Sequence, residues 1–260
     1  VTDITVNGEV LGEESSFNQL TSSERIDRII EKTSFYGCDN GKVRGLIFCS
    51  TVEESIVLSR EFNSRGYKTI ALSGGNSEND RSQAILQLES DKVANQLDYI
   101  FTVDIFNEGI DIPSVNQIVM LRPTQSAIVF VQQLGRGLRK IDEKEYLTVI
   151  DFIGNYKSNY LIPIALYGDT SYNKDSLRKL VSSGSNLIPG TSTINFDKIT
   201  RERIFESIDA AKMQLKRDLV NDYNLLKFRL GRIPMMVDFI NYGLRDPQSV
   251  SYTHLTLPTI

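Results

Sequence analysis

From Gly45 to Phe152 the sequence alternates between short apolar runs and amphipathic stretches of helical length. Strands that alternate with helices form a parallel sheet, because each return to the same edge needs a crossover along one face. The pattern therefore predicts an α/β fold, an open parallel sheet with helices on both faces. The predicted strands are residues 45–50, 69–72, 98–103, 117–121 and 146–152, and the predicted helices between them are 52–65, 81–88 and 126–138.

Small and polar residues stand at the ends of three predicted strands. Ser50 ends the first strand and Thr51 follows it, Ser73 and Gly74 follow the second, and Thr102 lies near the end of the third. Open α/β sheets bind ligands at the carboxyl ends of their strands. We therefore expect these residues to contact a ligand; the alternative is that they only form turns.

The segment 130–139 carries two arginines on one face of a predicted helix. Gln132, Arg136 and Arg139 lie within about 60° of one another at helical spacing. Gly135 and Gly137 each cost about 1 kcal/mol in a helix, but they leave room for a ligand to approach the arginines. Guanidinium groups suit phosphate oxygens, so the pattern indicates phosphate binding. The alternative is a solvated basic helix end that the macrodipole favours.

Three segments in this order resemble motifs IV, V and VI of the superfamily 2, DEAD/DEAH-box-like helicases and ATPases. They are Gly45–Thr51, Thr102–Pro113, and the sequence Gln-x-x-Gly-Arg-x-x-Arg at 132–139. The resemblance implies a RecA-like C-terminal lobe that closes over ATP bound mainly by a first lobe. In that family, residues that match Arg136 and Arg139 reach the γ-phosphate and act as catalytic arginines.

The resemblance also implies the roles of other residues. Asp111 would hydrogen-bond the ribose, although it could instead cap the loop before Pro113. Thr102 would touch a nucleic-acid phosphate, although it is also a residue that strands favour. The full expected nucleotide-binding set is Gln132, Gly109, Asp111, Glu108 and Gly135, and the expected nucleic-acid-binding set is Ser50, Thr51, Ser73, Gly74 and Thr102.

Two motifs of ATP-hydrolysing proteins do not occur in the sequence. There is no Gly-x-x-x-x-Gly-Lys-Ser/Thr phosphate loop, since Gly41-Lys42 is followed by Val43. The acidic magnesium-binding motif is also missing, since Asp142-Glu143 falls in a charged turn rather than at a strand end. We therefore expect the ligands of ATP and Mg²⁺ to lie mainly on a first RecA-like lobe upstream, and no metal site on this chain. The chain alone is expected not to hydrolyse ATP.

The amino-acid composition excludes several kinds of site and of protein. A single histidine, His254, excludes multi-histidine metal sites, and two cysteines, Cys38 and Cys49, exclude a disulfide scaffold. No apolar run is long enough to span a membrane. The formal net charge of −4 argues only weakly against nucleic acid as a partner. Residues 198–232 hold 9 basic and 5 acidic side chains, so a nucleic-acid partner is not excluded. We expect a bacterial cytoplasmic protein that binds DNA, with RNA as the alternative.

Four regions are predicted along the chain. Residues 1–41, with a helix at 21–32, would be a linker from the first lobe, and residues 42–155 the RecA-like lobe. Residues 156–249 would be a truncated, mainly helical accessory domain, with one long helix at 199–228. This region resembles the start of a helicase-associated domain of unknown function. Residues 250–260 are expected to be non-native, because 250–259 read as translated sequencing adapter; the alternative is a natural strand.

The predicted function is therefore the second motor lobe of an ATP-dependent nucleic-acid helicase or translocase. A non-catalytic nucleic-acid-binding or protein-interaction module with a RecA-like fold is the alternative. An unrelated doubly wound enzyme would be expected to carry its own phosphate loop or nucleophile, and the sequence offers neither.

Overall fold

The structure is a computed structural model. Its described residues form two compact units: the first contains those up to Ile153, and the second contains those from Asn159 onwards. The backbone is described for residues 2–3, 5–6, 9–10, 19, 21–91, 96–103, 112–122, 144–153, 159–169, 173–183, 196, 198–211, 216–242 and 244. Side chains are described for the same residues except 2–10, 153, 199, 216–219 and 221.

The first unit is built on a parallel sheet. Its strands are β1 (Thr2–Asp3), β4 (Gly45–Phe48), β5 (Thr69–Leu72), β6 (Tyr99–Thr102), β7 (Gln117–Met120) and β8 (Thr148–Ile153), in the spatial order β1-β8-β7-β4-β6-β5. β2 (Thr5–Val6) and β3 (Glu9–Val10) form a separate antiparallel pair. All residues of β4, β6 and β7 are buried, so both faces of the sheet centre are covered. The predicted fold class is confirmed.

Three helices of this unit begin at side-chain caps. They are α1 (Ser23–Tyr36), α2 (Val52–Ser64) and α3 (Glu78–Glu89). The hydroxyls of Ser22, Thr51 and Ser77 each accept a hydrogen bond from a backbone N–H in the first turn. Such bonds satisfy donors that have no partner inside the helix.

One hydrophobic core of the first unit lies between one face of the sheet and helices α1 and α2. Ile26 and Ile29 of α1 pack with Leu58 and Phe62 of α2 against alternate residues of the strands, among them Ile47, Phe101 and Val119. The ring of Phe62 meets the ring of Phe101 edge to face, with centroids 5.0 Å apart. α1 lies within the predicted linker 1–41, and it packs in the same core as the strands. The predicted domain boundaries stay predictions.

Tyr99 connects strands β6 and β7 to α1 at the amino-terminal ends of the strands. Its hydroxyl donates to Oε1 of Gln117 at 2.7 Å, and the Gln117 side chain donates to the carbonyls of Thr33 and Gly37 on α1. A Cβ on Gly45 would overlap the Tyr99 ring, so this position needs glycine. Burial raises the pKa of Tyr99, which therefore stays a neutral hydrogen-bond donor.

One predicted bound of these helices is wrong. α3 begins at Glu78, three residues before the predicted start, because Ser77 and Asp80 form a capping box. In α2, Leu58 and Phe62 are buried, whereas the Ile56 side chain is 45% exposed. The polar residues Ser55 and Ser59 occupy the inner face instead.

The second unit is helical where it is described. Its helices are α4 (Leu161–Tyr167), α5 (Lys174–Ser183), α6 (Lys198–Ala210), α7 (Lys216–Leu230) and α8 (Met236–Asn241). The long helix predicted at 199–228 is wrong: α6 ends at Ala210 and α7 begins at Lys216. That prediction rests on apolar residues at helical spacing, among them Ile204, Ile208 and Ala211. Ile204 and Ile208 are fully buried in α6. No described helix is long and apolar enough to cross a membrane.

Asp151 of β8 has a buried side-chain carboxyl group and lies level with the last residue of β7. It pairs in register with Met120, is 4% exposed, and its Oδ2 has no hydrogen-bond partner among the described residues. Because burial penalises the charged form, the pKa of Asp151 is raised to about 7.

Asp151→Asn should change how stability depends on pH. Between about pH 4 and pH 7 folded Asp151 keeps a proton that the unfolded chain releases, so its contribution to stability falls as pH rises, by at most about 1.4 kcal/mol per pH unit. The asparagine variant should lose this dependence and gain stability relative to the wild type up to pH 7. Urea unfolding of both chains at pH 5, 6, 7 and 8 measures the difference, and parallel pH profiles would contradict the assignment.

Candidate nucleic-acid interface at the carboxyl edge of the sheet

The register of three neighbouring strands gathers the residues expected to bind nucleic acid. Phe48 of β4 pairs with Thr102 of β6, and Thr102 pairs with Leu72 of β5. All three strands end in this row. The chain segments that follow them, beginning with Cys49, Val103 and Ser73, therefore leave the sheet side by side at one edge. Ser50, Thr51, Ser73, Gly74 and Thr102 all lie along this edge.

Ser50 and Thr51 connect β4 to α2, and both are exposed. The Thr51 hydroxyl accepts a hydrogen bond from the Glu54 N–H at 3.1 Å, and the Ser50 N–H donates to Oε2 of Glu54 at 2.8 Å. Ser50 directly precedes Thr51, the N-cap residue of a 13-residue helix, and the macrodipole favours negative charge near such a helix start. The Ser50 hydroxyl is therefore available to an anionic ligand, and the Glu54 carboxylate holds the Ser50 backbone in place.

Ser73 and Gly74 form a compact turn between β5 and α3. The Ser73 N–H donates to Oδ1 of Asn76 at 2.8 Å, and the Asn76 N–H donates to the Ser73 carbonyl at 3.1 Å. A Cβ on Gly74 would meet nothing within 4 Å, and this glycine is not among those with positive φ. Neither crowding nor backbone geometry therefore requires glycine at this position. What glycine does provide is an exposed backbone that a ligand can approach closely.

Arg81 is a candidate that the sequence analysis missed. It lies in the first turns of α3, and its Nη2 donates to the Gly74 carbonyl at 3.1 Å, so the guanidinium sits against the Ser73–Gly74 turn. Its Nε has no hydrogen-bond partner among the described residues. The sequence offered one signal: a cation near a helix N-terminus is unfavourable to the macrodipole, so an arginine there needs another reason.

Thr102 is placed differently from the other four residues. Its side chain is fully buried, and its Oγ1 has no hydrogen-bond partner in the part of the chain that is described. Its carbonyl accepts a hydrogen bond from the Cys49 N–H at 2.9 Å, which ties the end of β6 to the end of β4. The phosphate contact expected of Thr102 stays a prediction.

The expected nucleotide-binding and catalytic residues lie outside the described residues. They are Glu108, Gly109, Asp111, Gln132, Gly135, Arg136 and Arg139. Their roles stay predictions that rest on the motif resemblance.

At this edge, the described residues include neither a reactive cysteine nor a group of side chains that could hold a metal ion. Cys49 is fully buried, and burial raises the pKa of its thiol well above the ordinary value, so it stays a neutral core residue. Among the described positions there is no group of three or more His, Cys, Asp or Glu side chains that could hold a metal ion. Through its described residues, this edge can bind a ligand with hydroxyls, backbone groups and the guanidinium of Arg81.

A family model for the helicase conserved C-terminal domain matches residues 24–140. This range runs from the start of α1 past β7 and contains every motif quoted above. Residues 24–140 are a helicase C-terminal domain. We refer to the first unit as the helicase C-terminal lobe. A second model, for a domain of unknown function (DUF8090), matches residues 219–255, which include most of α7 and all of α8.

Similarity to individual helicases covers about half of the chain. The chain is 25% identical over 138 residues to the putative ATP-dependent helicase IRC3 of Saccharomyces cerevisiae, with 53% of this chain and 19% of the relative covered. The probable ATP-dependent DNA helicase RecS of Bacillus subtilis is 27% identical over 123 residues (47% and 23%). The probable ATP-dependent RNA helicase MJ0669 of Methanocaldococcus jannaschii is 22% identical over 141 residues (53% and 35%). The match spans about a third or less of each relative.

Gly74→Ala should separate ligand binding from folding. The added methyl group meets no neighbour, and replacing glycine at such a position stabilises a protein by about 0.4–1 kcal/mol, so the melting temperature should stay equal or rise slightly. The same methyl group should obstruct a ligand that approaches the backbone and weaken binding of a single-stranded oligonucleotide. Thermal melting and fluorescence anisotropy measure the two effects. Unchanged affinity would remove Gly74 from the interface.

Proposed function

We propose that this chain supplies the second motor lobe of an ATP-dependent nucleic-acid helicase or translocase. The observation that carries the proposal is the carboxyl edge of β4, β6 and β5, where Ser50, Thr51, Ser73 and Gly74 are gathered within a helicase C-terminal domain. ATP-driven closing and opening of two lobes would move the protein along a nucleic-acid backbone.

The chemistry of this edge suits a sugar–phosphate backbone. Hydroxyls, backbone N–H groups and arginine are the usual protein partners of phosphate oxygens, and such contacts position a protein without reading bases. The relatives include one named as a DNA helicase and one named as an RNA helicase. We propose DNA as the substrate and RNA as the alternative, since contacts of this kind need no 2′-hydroxyl and can be made with either polymer. Single-stranded DNA serves for the first binding test.

The roles proposed for ATP and Mg²⁺ rest on the motifs. Arg136 and Arg139 would stabilise negative charge on the γ-phosphate, and Gln132, Gly109 and Asp111 would hold parts of the nucleotide. The phosphate loop and the Mg²⁺ ligands would lie on a first lobe, because the sequence of this chain contains neither motif. ATP supplies the phosphoryl group, and the arginines of this lobe would complete the site when the lobes close.

Ser50→Asp tests the nucleic-acid interface. A negative charge about 4 Å from a phosphate costs about 1 kcal/mol even in bulk water, so the affinity for single-stranded DNA should fall about fivefold or more. The chain should remain folded, because a carboxylate near the start of α2 is favourable to the macrodipole. Fluorescence anisotropy of a labelled oligothymidylate measures the affinity, and circular dichroism checks the fold.

Ser64→Asp is the matched control. Ser64 is the last residue of the same helix, is exposed, and lies away from the carboxyl edge of the sheet. The same substitution there adds the same charge and should leave the affinity within about twofold, since exposed charges beyond a Debye length are largely screened. Equal losses in the two variants would indicate a general charge effect and contradict the proposed interface.

Arg136→Ala tests the motor function. In a polypeptide that carries this chain behind a complete first lobe, ATP turnover should fall about 10³-fold or more, because an arginine finger contributes that much to phosphoryl transfer. Affinity for the oligonucleotide without ATP should not change, because Arg136 is assigned to the nucleotide. Unchanged turnover in the variant, or no ATPase activity in the parent, would favour the non-catalytic module instead.

A further inference from the structure

A buried ion pair between Arg25 and Glu54 lies next to the Ser50–Thr51 connection. Nη1 of Arg25, in the first turn of α1, is 2.6 Å from Oε1 of Glu54, in the first turn of α2. Arg25 is 1% exposed and Glu54 is not exposed at all. The pair therefore joins two helices inside the protein at the edge where nucleic acid is proposed to bind.

The same two side chains hold the backbone at the ends of two strands. Oε2 of Glu54 accepts a hydrogen bond from the Ser50 N–H at 2.8 Å, just after β4. Nη2 of Arg25 donates to the Leu121 carbonyl at 3.4 Å, just after β7. The Leu121 N–H in turn donates to the carbonyl of Phe48 at 2.9 Å. One carboxylate and one guanidinium thus connect α1, α2, β4 and β7.

The position of Glu54 differs from that in an ordinary capping box. In a capping box the carboxylate of the third helical residue accepts from the N–H of the N-cap residue, which is Thr51 here. The Glu54 carboxylate instead accepts from the N–H of Ser50, one residue earlier. This bond fixes the exposed residue that is proposed to meet a phosphate, rather than the helix end itself.

Stability alone gives a weak reason for such a pair. Removing two charges from water costs about as much as their attraction returns, and well-packed apolar residues often serve equally well or better. A buried pair with several fixed hydrogen bonds does impose one geometry on the groups that it joins. The backbone groups joined here are the Ser50 N–H, in the candidate interface, and the Leu121 carbonyl, at the end of the neighbouring strand β7.

We propose that Glu54 and Arg25 are positioning residues for nucleic-acid binding: Glu54 holds the Ser50 backbone, and Arg25 holds Glu54 and couples it to α1 and to the end of β7. This inference rests on the proposed function, because it assumes that Ser50 faces nucleic acid. It assigns a binding role to two buried residues that do not touch the ligand. It also makes the orientation of α1 a determinant of the binding edge.

The test uses Glu54→Gln in the full 260-residue chain, with a labelled oligothymidylate as the probe. Glutamine keeps the size of the side chain but loses the charge and one of the two acceptor atoms, so it cannot hold both Arg25 and Ser50. At a temperature where circular dichroism shows the variant fully folded, its affinity should be at least about fivefold weaker than that of the wild type. Exchange of the Ser50 backbone N–H, followed by NMR, should become faster.

Two further variants separate positioning from stability. Arg25→Lys keeps the charge next to Glu54 but lacks the fork that reaches Leu121, so it should weaken binding less than Glu54→Gln. Ser59→Ala is the stability control. Ser59 is a buried residue of the same helix whose hydroxyl lies 2.8 Å from that of Thr69, away from Ser50. This control should lower the melting temperature and leave the affinity of the folded chain unchanged.

Each outcome decides the inference. Weaker binding by folded Glu54→Gln, with faster Ser50 exchange and normal binding by Ser59→Ala, supports it. If Glu54→Gln does not fold, folded Arg25→Lys takes its place, with a smaller loss of affinity as the supporting result and unchanged affinity as the contradicting one. Normal affinity in a folded pair variant, while Ser50→Asp still weakens binding, overturns the inference and leaves the proposed function standing. No binding by the wild-type chain overturns both.

Discussion

The parallel register of β4 with its neighbours determines where every candidate contact lies. Phe48 is level with Thr102 on one side and with Met120 on the other, so the connections after these strands leave the sheet at one edge. A shift of one residue would turn each side chain to the opposite face of the sheet. Ser50 and Gly74, which lie 24 positions apart in the sequence, share an edge for this reason alone.

Buried polar groups fix that register at both edges of the sheet. At the amino-terminal edge, the Asn116 side chain donates to the carbonyls of Asp39 and Lys42 and accepts from the Arg44 N–H, which aligns the entry into β7 with that into β4. At the carboxyl edge, Glu54 and Arg25 have the corresponding function. Buried polar groups with several hydrogen bonds favour one arrangement, whereas apolar packing tolerates several.

The sequence was sufficient for the five strands β4 to β8 and insufficient for the short strands β1 to β3 and for contacts between distant elements. Apolar runs bounded by turn residues located these five strands to within one or two residues, because largely buried strands leave a continuous apolar signal. The break between α6 and α7 was missed, since Ala211 continues a helical apolar stripe. Arg81 and Glu54 were missed for another reason: their partners, Gly74 and Arg25, become neighbours only in the folded chain. The arginines that motif resemblance assigns to ATP lie outside the described residues.

The central claim is that nucleic acid lies along the carboxyl edge of β4, β6 and β5 in the helicase C-terminal lobe. Backbone N–H exchange, measured residue by residue with and without saturating single-stranded DNA, tests this claim most directly. Exchange should slow at residues 50–54 and 73–77 and stay unchanged at the opposite edge, at residues 42–45, 68–69 and 116–117. Protection confined to the opposite edge, or none at residues 50–54 and 73–77 while DNA is bound, would contradict the account.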